Sequence, residues 1–207
     1  MNKSVATWNT QGDPFNQTEK AVVLASLCAA SPIVLLQECG QLSGTLPGWS
    51  PYYGGQAGAF NNRCSTAILT SLPVYGSGLI SRSSTGRPGI WIRTDDCIVG
   101  TLHSTSGGVG KPDLDVFMKE LMDLSGGEVP VIIGGDFNFQ LTPGEQAARI
   151  GTESRGTEYS LLSQSRPTHG GGSILDGFAV YGVSRWEGPR RLSVAPSDHH
   201  PVTATFH

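Results

Sequence analysis

The stretch Val129-Pro130-Val131-Ile132-Ile133-Gly134-Gly135-Asp136-Phe137-Asn138 constrains this chain more than any other. A short β-branched apolar run, bounded by a proline and two glycines, predicts a buried strand over Val129–Ile133. Polar side chains follow at once, with Asp136 and then Asn138. Open α/β sheets place ligands beyond such strand ends. The glycines predict a sharp turn and a close backbone approach to a ligand. Alone, Gly-Asp-x-Asn is equally an Asx-type turn closing a strand. The remaining strand ends decide between the two.

They repeat the pattern. Ser4–Trp8 predicts a first strand ending at Asn9. A helix follows from an N-cap at Thr18 to Ala30, and Pro32 stops it. Ile33–Gln37 predicts a second buried strand, ending in Glu38, so the chain opens as a βαβ-like unit. Gly40–Asn62 reads as a loop or irregular hairpin, Arg63–Thr70 as a strand, and Ser77–Ser84 as turn-like. Gly89–Arg93 and Ile98–Leu102 predict a hairpin around Asp95-Asp96, and its second strand delivers His103. Pro112 suits a helix first turn, Leu114, Phe117, Met118 and Leu121 give a buried face, and Gly126-Gly127 end it. Beyond Asn138, Pro143–Ile150 reads as a short helix, Thr152–Gly172 as mostly loop, and Ser173–Val180 as a strand carrying Asp176. Ser184–Arg191 reads as a basic loop and Leu192–Ala195 as a short strand. After Ser197-Asp198-His199-His200-Pro201 comes a final strand, Val202–Phe206.

The 207 residues suit one domain with a large core. Lys+Arg total 14 against 17 Asp+Glu, so no global basic field advertises nucleic acid. Ten of the 14 basic residues are Arg, which can grip phosphate bidentately. No apolar run is long enough to span a bilayer, and Met1–Ser4 leads straight into a strand without a signal peptide. Cys28, Cys39, Cys64 and Cys97 contain no Cys-x-x-Cys pair, which argues against a structural zinc site. Cys28 and Cys97 read as buried thiols; Cys39 and Cys64 flank a loop-rich stretch and could pair in an oxidising compartment.

Each polar strand end has a structural explanation of its own: a solvated terminus for Glu38, an edge histidine for His103, a turn cap for Asp176 or Asp198. Together they supply carboxylates for a hard divalent cation, two histidines for proton transfer, and amides and arginines for phosphate.

In order along the chain, Ala6-Thr7-Trp8-Asn9-x-Gln11-Gly12, Gln37-Glu38, Leu102-His103-Ser104, Gly135-Asp136-Phe137-Asn138, Leu175-Asp176 and Ser197-Asp198-His199-x-Pro201 resemble the motifs of the endonuclease/exonuclease/phosphatase superfamily. Arg63 before an Ala-Ile strand, Arg87-Pro88-x-Ile90 and Pro167-Thr168 are similar to the cytolethal distending toxin B subunits in particular. The resemblance implies a DNase I-like four-layer α/β/β/α sandwich with two packed mixed sheets. It implies Mg²⁺-assisted phosphodiester hydrolysis, with Mn²⁺ or Ca²⁺ as alternative ions. Glu38, Asn9 and Asp198 would hold the metal. His199 would be the base, with Asp176 on its other nitrogen, although the sequence alone does not fix which of the two histidines is acid and which is base. His103 would protonate the leaving oxygen or stabilise the pentacovalent state, and Asp136 would orient water or serve a second metal position. Asn138, Arg63 and Arg87 would bind phosphate.

DNA is the implied substrate, and toxin delivery subunits are the implied partners, with no stable membrane insertion. Such a chain would be exported or delivered into a target cell; otherwise it is cytoplasmic. The alternative on the same fold is a phosphoinositide phosphatase or sphingomyelinase-type phosphoesterase, for which Trp49, Tyr52, Tyr53 and Phe60 would form a membrane-facing loop. An inactive binding module is the non-enzymatic alternative. Two departures from the pattern stand out. The loops Gly40–Asn62 and Ser184–Arg191 are compact, and no acidic residue lies between Glu38 and Asp95 to orient His103. A backbone carbonyl is the expected substitute.

Overall fold

The structure is a computed structural model and describes residues 1–55, 65–80, 87–107, 110–150, 157–193 and 196–207. Its elements run β1 (Lys3–Asn9), α1 (Thr18–Ala30), β2 (Ile33–Gln37), β3 (Ser50–Gly54), β4 (Thr66–Thr70), β5 (Gly76–Ile80), β6 (Gly89–Arg93), β7 (Ile98–His103), α2 (Gly110–Ser125), β8 (Val131–Asp136), β9 (Gly144–Arg149), β10 (Glu158–Ser163), β11 (Asp176–Tyr181), β12 (Trp186–Arg191) and β13 (Val202–Phe206). One sheet has the order β12-β13-β1-β2-β4-β3 and the other β5-β6-β7-β8-β11-β10-β9. Both are mixed: β1 pairs parallel with β2 and β7 with β8, while the other pairs are antiparallel. Each parallel pair is joined through connecting chain that includes a helix, α1 or α2.

The period-2 alternation of the central strands explains the four layers. Ile33 and Leu35 of β2 point into the core shared with Ile90, Ile92, Val99, Ile132 and Phe178 of the other sheet. Val34 and Leu36, one residue out of phase, pack with Leu24 and Leu27 of α1. In β8, Ile132 faces the shared core, while Val131 and Ile133 pack with Leu114, Phe117 and Leu121 of α2. Strands covered on both faces read as continuous apolar runs. This is the expected α/β/β/α sandwich.

The strand before Asp136 is longer than its apolar run, because Gly134 and Gly135 lie inside β8. Neither has a positive φ. They are there for space. A Cβ on Gly134 would stand 2.7 Å from Leu35 Cδ1 and 2.9 Å from Phe178 Cε1, and one on Gly135 would stand 2.2 Å from the Leu102 carbonyl oxygen. The expected sharp glycine turn is therefore a close sheet packing.

Several expectations fail. Residues 144–149 form strand β9, pairing along its length with β10, rather than a helix. Strand β10 lies within the stretch expected to be loop, β5 overlaps the expected turn over residues 77–80 (81–84 lie outside the described residues), and β12 stands in place of the basic loop. The Gly40–Asn62 stretch contributes β3. Gln17, not Thr18, is the N-cap of α1, without a side-chain capping bond. Leu192 and Ser193 are outside any strand; Val194 and Ala195 lie outside the described residues.

Trp49 and Tyr52, expected on a membrane-facing loop, pack against the core clusters, leaving Tyr53 as the exposed aromatic of β3. Phe60 lies outside the described residues. Cys39 is a buried free thiol, its pKa pushed up to about 12 by burial, so the Cys39–Cys64 pairing is not formed. Cys28 and Cys97 are free as well; Cys97 is buried as expected, whereas Cys28 is only partly buried. No helix among the described residues is long and apolar enough to cross a membrane.

Candidate active site

Sheet register builds one half of the site. His103 of β7 pairs with Asp136 of β8, and Asp136 pairs with Asp176 of β11. Three polar side chains thus lie abreast across three neighbouring strands. The other half comes from the second sheet, where Asn9 closes β1 opposite Gln37, and Glu38 follows directly. The Asn9 amide joins the halves: Nδ2 donates to Glu38 Oε1 at 3.2 Å and to Asp136 Oδ2 at 3.0 Å.

Asp136 is the hub. Its Oδ2 lies 3.6 Å from His103 Nε2 and 3.6 Å from His199 Nε2. Burial, chiefly, and then the charge of Asp176 push its pKa up; the two histidines and the Asn9 bond oppose this. Its Oδ1 accepts the Asn138 backbone N–H at 3.0 Å, an Asx turn at the strand end. Asn138 Nδ2 donates to the Ser104 carbonyl at 2.8 Å, leaving one amide hydrogen for an incoming group. The turn and the site are therefore the same object.

His199 Nδ1 lies 2.8 Å from Asp176 Oδ2. Burial alone would disfavour its charge, but the hydrogen bond and charge of Asp176, with Asp136 and Asp198, outweigh it and push the pKa up to about 9. Asp176 is buried, and its Oδ1 has no hydrogen-bond partner among the described residues. Asp198 is about half exposed, with Oδ1 3.7 Å from His199 Nε2.

An arginine, not foreseen in this role from the sequence, helps to orient His103. Arg87 Nη1 is 3.1 Å from His103 Nε2 and donates to the Ser104 carbonyl at 2.9 Å. Glu38 Oε1 is 3.6 Å from the same ring nitrogen. Arg87, expected as a phosphate ligand, is thus at the site, but packed on His103. Arg63, the other expected phosphate ligand, lies outside the described residues.

Sequence reasoning missed a supporting layer. Gln11 Oε1 accepts from Asp198 N at 3.3 Å, and its carbonyl accepts from Lys20 Nζ at 3.0 Å. Lys20 is buried, and burial lowers its pKa against the opposing charge of Asp198. Gln11, Glu38 and Asn138 have φ of 47°, 51° and 52°, and are the non-glycine residues with positive φ among those described. Backbone strain of this kind clusters at functional sites. No side-chain pattern signals it. Thr168 is buried and accepts from Leu175 N and Asp176 N, fixing the start of β11. The motif Pro167-Thr168 was its only signal.

A model of the Endonuclease/Exonuclease/phosphatase family matches residues 6–199. The chain belongs to this family. The matched span includes every side chain placed in the site above. No curated protein sequence matches it. Among solved structures, cytolethal distending toxin from Actinobacillus actinomycetemcomitans is similar at 18% identity and a TM-score of 0.70, over 99% of this chain and 98% of that one. The human Nocturnin catalytic domain with bound sulfate anion is similar at 15% identity and 0.71, over 100% and 93%. TDP2 from C. elegans is similar at 18% and 0.62, over 100% and 75%. These likenesses show the DNase I-like fold. The family as a whole is one of phosphoester hydrolases.

The donor set suits a hard divalent cation. Glu38, Asp136 and Asp176 crowd negative charge into one cleft with Asp198 at its rim, and Asp176 Oδ1 is a buried oxygen without a partner among the described residues. Such cations take oxygen ligands from one or two carboxylates, with phosphate and water completing the shell.

Proposed function

We propose that this protein is a Mg²⁺-dependent endonuclease that hydrolyses DNA phosphodiesters with two histidines. The observation that carries the reading is Asp136, placed 3.6 Å from the Nε2 of both His103 and His199 at the end of β8. DNA as substrate rests on the motif resemblance to the toxin B subunits; toxin-type delivery subunits are the partners it implies.

Glu38 and Asn9, with Asp198 at the rim, would hold a Mg²⁺, which would supply charge to polarise the phosphoryl oxygen and to offset the carboxylates that hold His199 protonated. His199 Nδ1–H stays on Asp176, leaving Nε2 to accept a proton from the attacking water. Asp136 orients that water. Asn138 Nδ2 donates to the scissile phosphate. His103, backed by Arg87, stabilises the pentacovalent phosphoryl group as the bond to the leaving oxygen breaks. Asp176 and Asn9 move no proton; Asp176 orients His199, and Asn9 links Glu38 to Asp136.

Nicking of supercoiled plasmid with Mg²⁺ tests the reading. The native protein is expected to nick, and His199→Ala to nick roughly 10²-fold more slowly or worse. A protein inert on plasmid with any divalent ion, yet active on phosphoinositide vesicles, would overturn the DNA assignment.

A further inference from the structure

A third histidine, His169, reaches the site from the chain between β10 and β11. Its ring meets the His199 ring edge-on, with centroids 4.8 Å apart. Its Nε2 is 3.5 Å from Asp198 Oδ2. The Asp198 carboxylate therefore has a histidine Nε2 on either side.

His169 is held by design of the backbone. Its N–H donates to the Ser173 carbonyl, and Gly172 N–H donates back to the His169 carbonyl, each at 3.0 Å. Gly170 N–H donates to the Asp198 carbonyl, and His200 N–H to the Thr168 carbonyl, each at 2.7 Å. The loop is thus stitched to the Asp198-His199-His200 segment. Gly171 N–H donates to His169 Nδ1 at 3.0 Å. A Cβ at Gly171 would come within 2.9 Å of that nitrogen, so glycine is what admits the contact.

That bond decides the tautomer. A ring nitrogen that accepts an N–H carries a lone pair, so the proton of the neutral ring sits on Nε2. A metal ion at Nε2 would need the lone pair there, and metal-bound histidines donate from their other nitrogen. His169, Asp198 and His199 bring ligand atoms within 4.8 Å of one another, yet the hydrogen bond sets His169 as a donor rather than a ligand. At 3.5 Å its proton is poorly used by Asp198. The His169 side chain is 31% exposed where that of His199 is 6% exposed, which puts its donor at the mouth of the site.

We propose that His169 is a substrate-binding residue whose Nε2–H hydrogen-bonds a phosphate oxygen of the bound diester at the site mouth, beside His199. The proposal rests on the phosphodiesterase reading above.

Two measurements test it. In the intact protein with EDTA, long-range ¹H–¹⁵N spectra of labelled histidine read each tautomer. His169 is expected as the Nε2–H form, its Nε2 signal shifting as inorganic phosphate is added. An Nδ1–H form, a ring indifferent to phosphate, or, once the EDTA is dialysed away, a switch to Nδ1–H with one equivalent of Zn²⁺ would overturn the proposal. In turnover of bis(p-nitrophenyl) phosphate, His169→Phe keeps a ring against His199 and loses the donor, whereas His169→Gln keeps a donor. The expected result is a KM about tenfold higher for His169→Phe, the worth of one hydrogen bond to a charged group, with kcat little changed and His169→Gln near the native value. Native KM in His169→Phe with a defect in His169→Gln would make His169 a packing residue. If the native protein turns over no diester, the phosphodiesterase reading fails, and the spectra alone decide whether His169 binds phosphate.

Discussion

The Nδ1 of His199 and Oδ2 of Asp176 are 2.8 Å apart, inside a site where both side chains are buried. The contact fixes which histidine nitrogen faces the cleft. Replacing Asp176 by Asn offers that nitrogen either an amide oxygen or an amide N–H, so the tautomer is no longer imposed. His199→Ala and His103→Ala should each lower turnover by roughly 10²-fold or more, the usual worth of one acid or base. Asp176→Asn should approach the His199→Ala loss, with KM nearly unchanged. Plasmid nicking at saturating Mg²⁺ reads all three, and wild-type-like nicking by His199→Ala would remove His199 from the mechanism.

The same contact has a pH signature in folding. The folded pKa of His199 is raised to about 9 from an ordinary 6.5. Its proton therefore stabilises the fold in full below about pH 6.5, and this is lost as the pH rises through about 9. In EDTA, the Tm advantage of the native protein over His199→Gln should shrink between those values. A difference that stays level with pH would mean the imidazolium contributes nothing.

Glu38 has a metal prediction. Glu38→Gln keeps the shape and the capacity to accept from Asn9 while removing a charge. It should require far more Mg²⁺ for half-maximal nicking. An unshifted titration would take Glu38 out of the metal site.

Arg87 is in contact with His103 and Ser104, at the wall of the cleft. Arg87→Ala should weaken DNA binding and reduce the slope of log K against log salt by about one, the mark of one lost phosphate contact. If binding weakens and the slope holds, Arg87 serves His103 alone.

Gly134→Ala probes the packing between the sheets. The new methyl would press on Leu35 and Phe178, and overpacking of this kind costs roughly 1–3 kcal/mol. Gly135→Ala meets a backbone oxygen, which cannot rotate away, and should cost more. Urea unfolding of the two variants would show the order; equal, near-native midpoints would refute it.

The strands legible in the sequence are the central ones, because burial on both faces forces apolar residues at every position. The strands that escaped, β3, β5, β9 and β12, are the four sheet edges, together with β10, next to an edge. Ser-Pro-Tyr-Tyr-Gly, Gly-Ser-Gly-Leu-Ile and Trp-Glu-Gly-Pro-Arg-Arg carry the prolines, glycines and charges that edge strands use against unwanted pairing. Gly-Glu-Gln-Ala-Ala-Arg is made of helix formers, and pairing with β10 overrides that preference. The site was legible where a polar residue ends an apolar strand, as at Asn9, His103 and Asp136. It was illegible where a loop supplies the group. Nothing in Arg87-Pro88 announces a contact with His103, and nothing in Thr168-His169-Gly170-Gly171 announces a ring held by a backbone N–H.

The Asn9 amide nitrogen reaches one carboxylate in each sheet, Glu38 in its own and Asp136 in the other. Neither sheet can therefore assemble the cleft by itself. A partly folded chain with one sheet formed has only that sheet's share of the site, so the proposed phosphodiester cleavage should appear only when the two halves close. Recovery of nicking during refolding would clock that final docking, whatever the order in which the strands form.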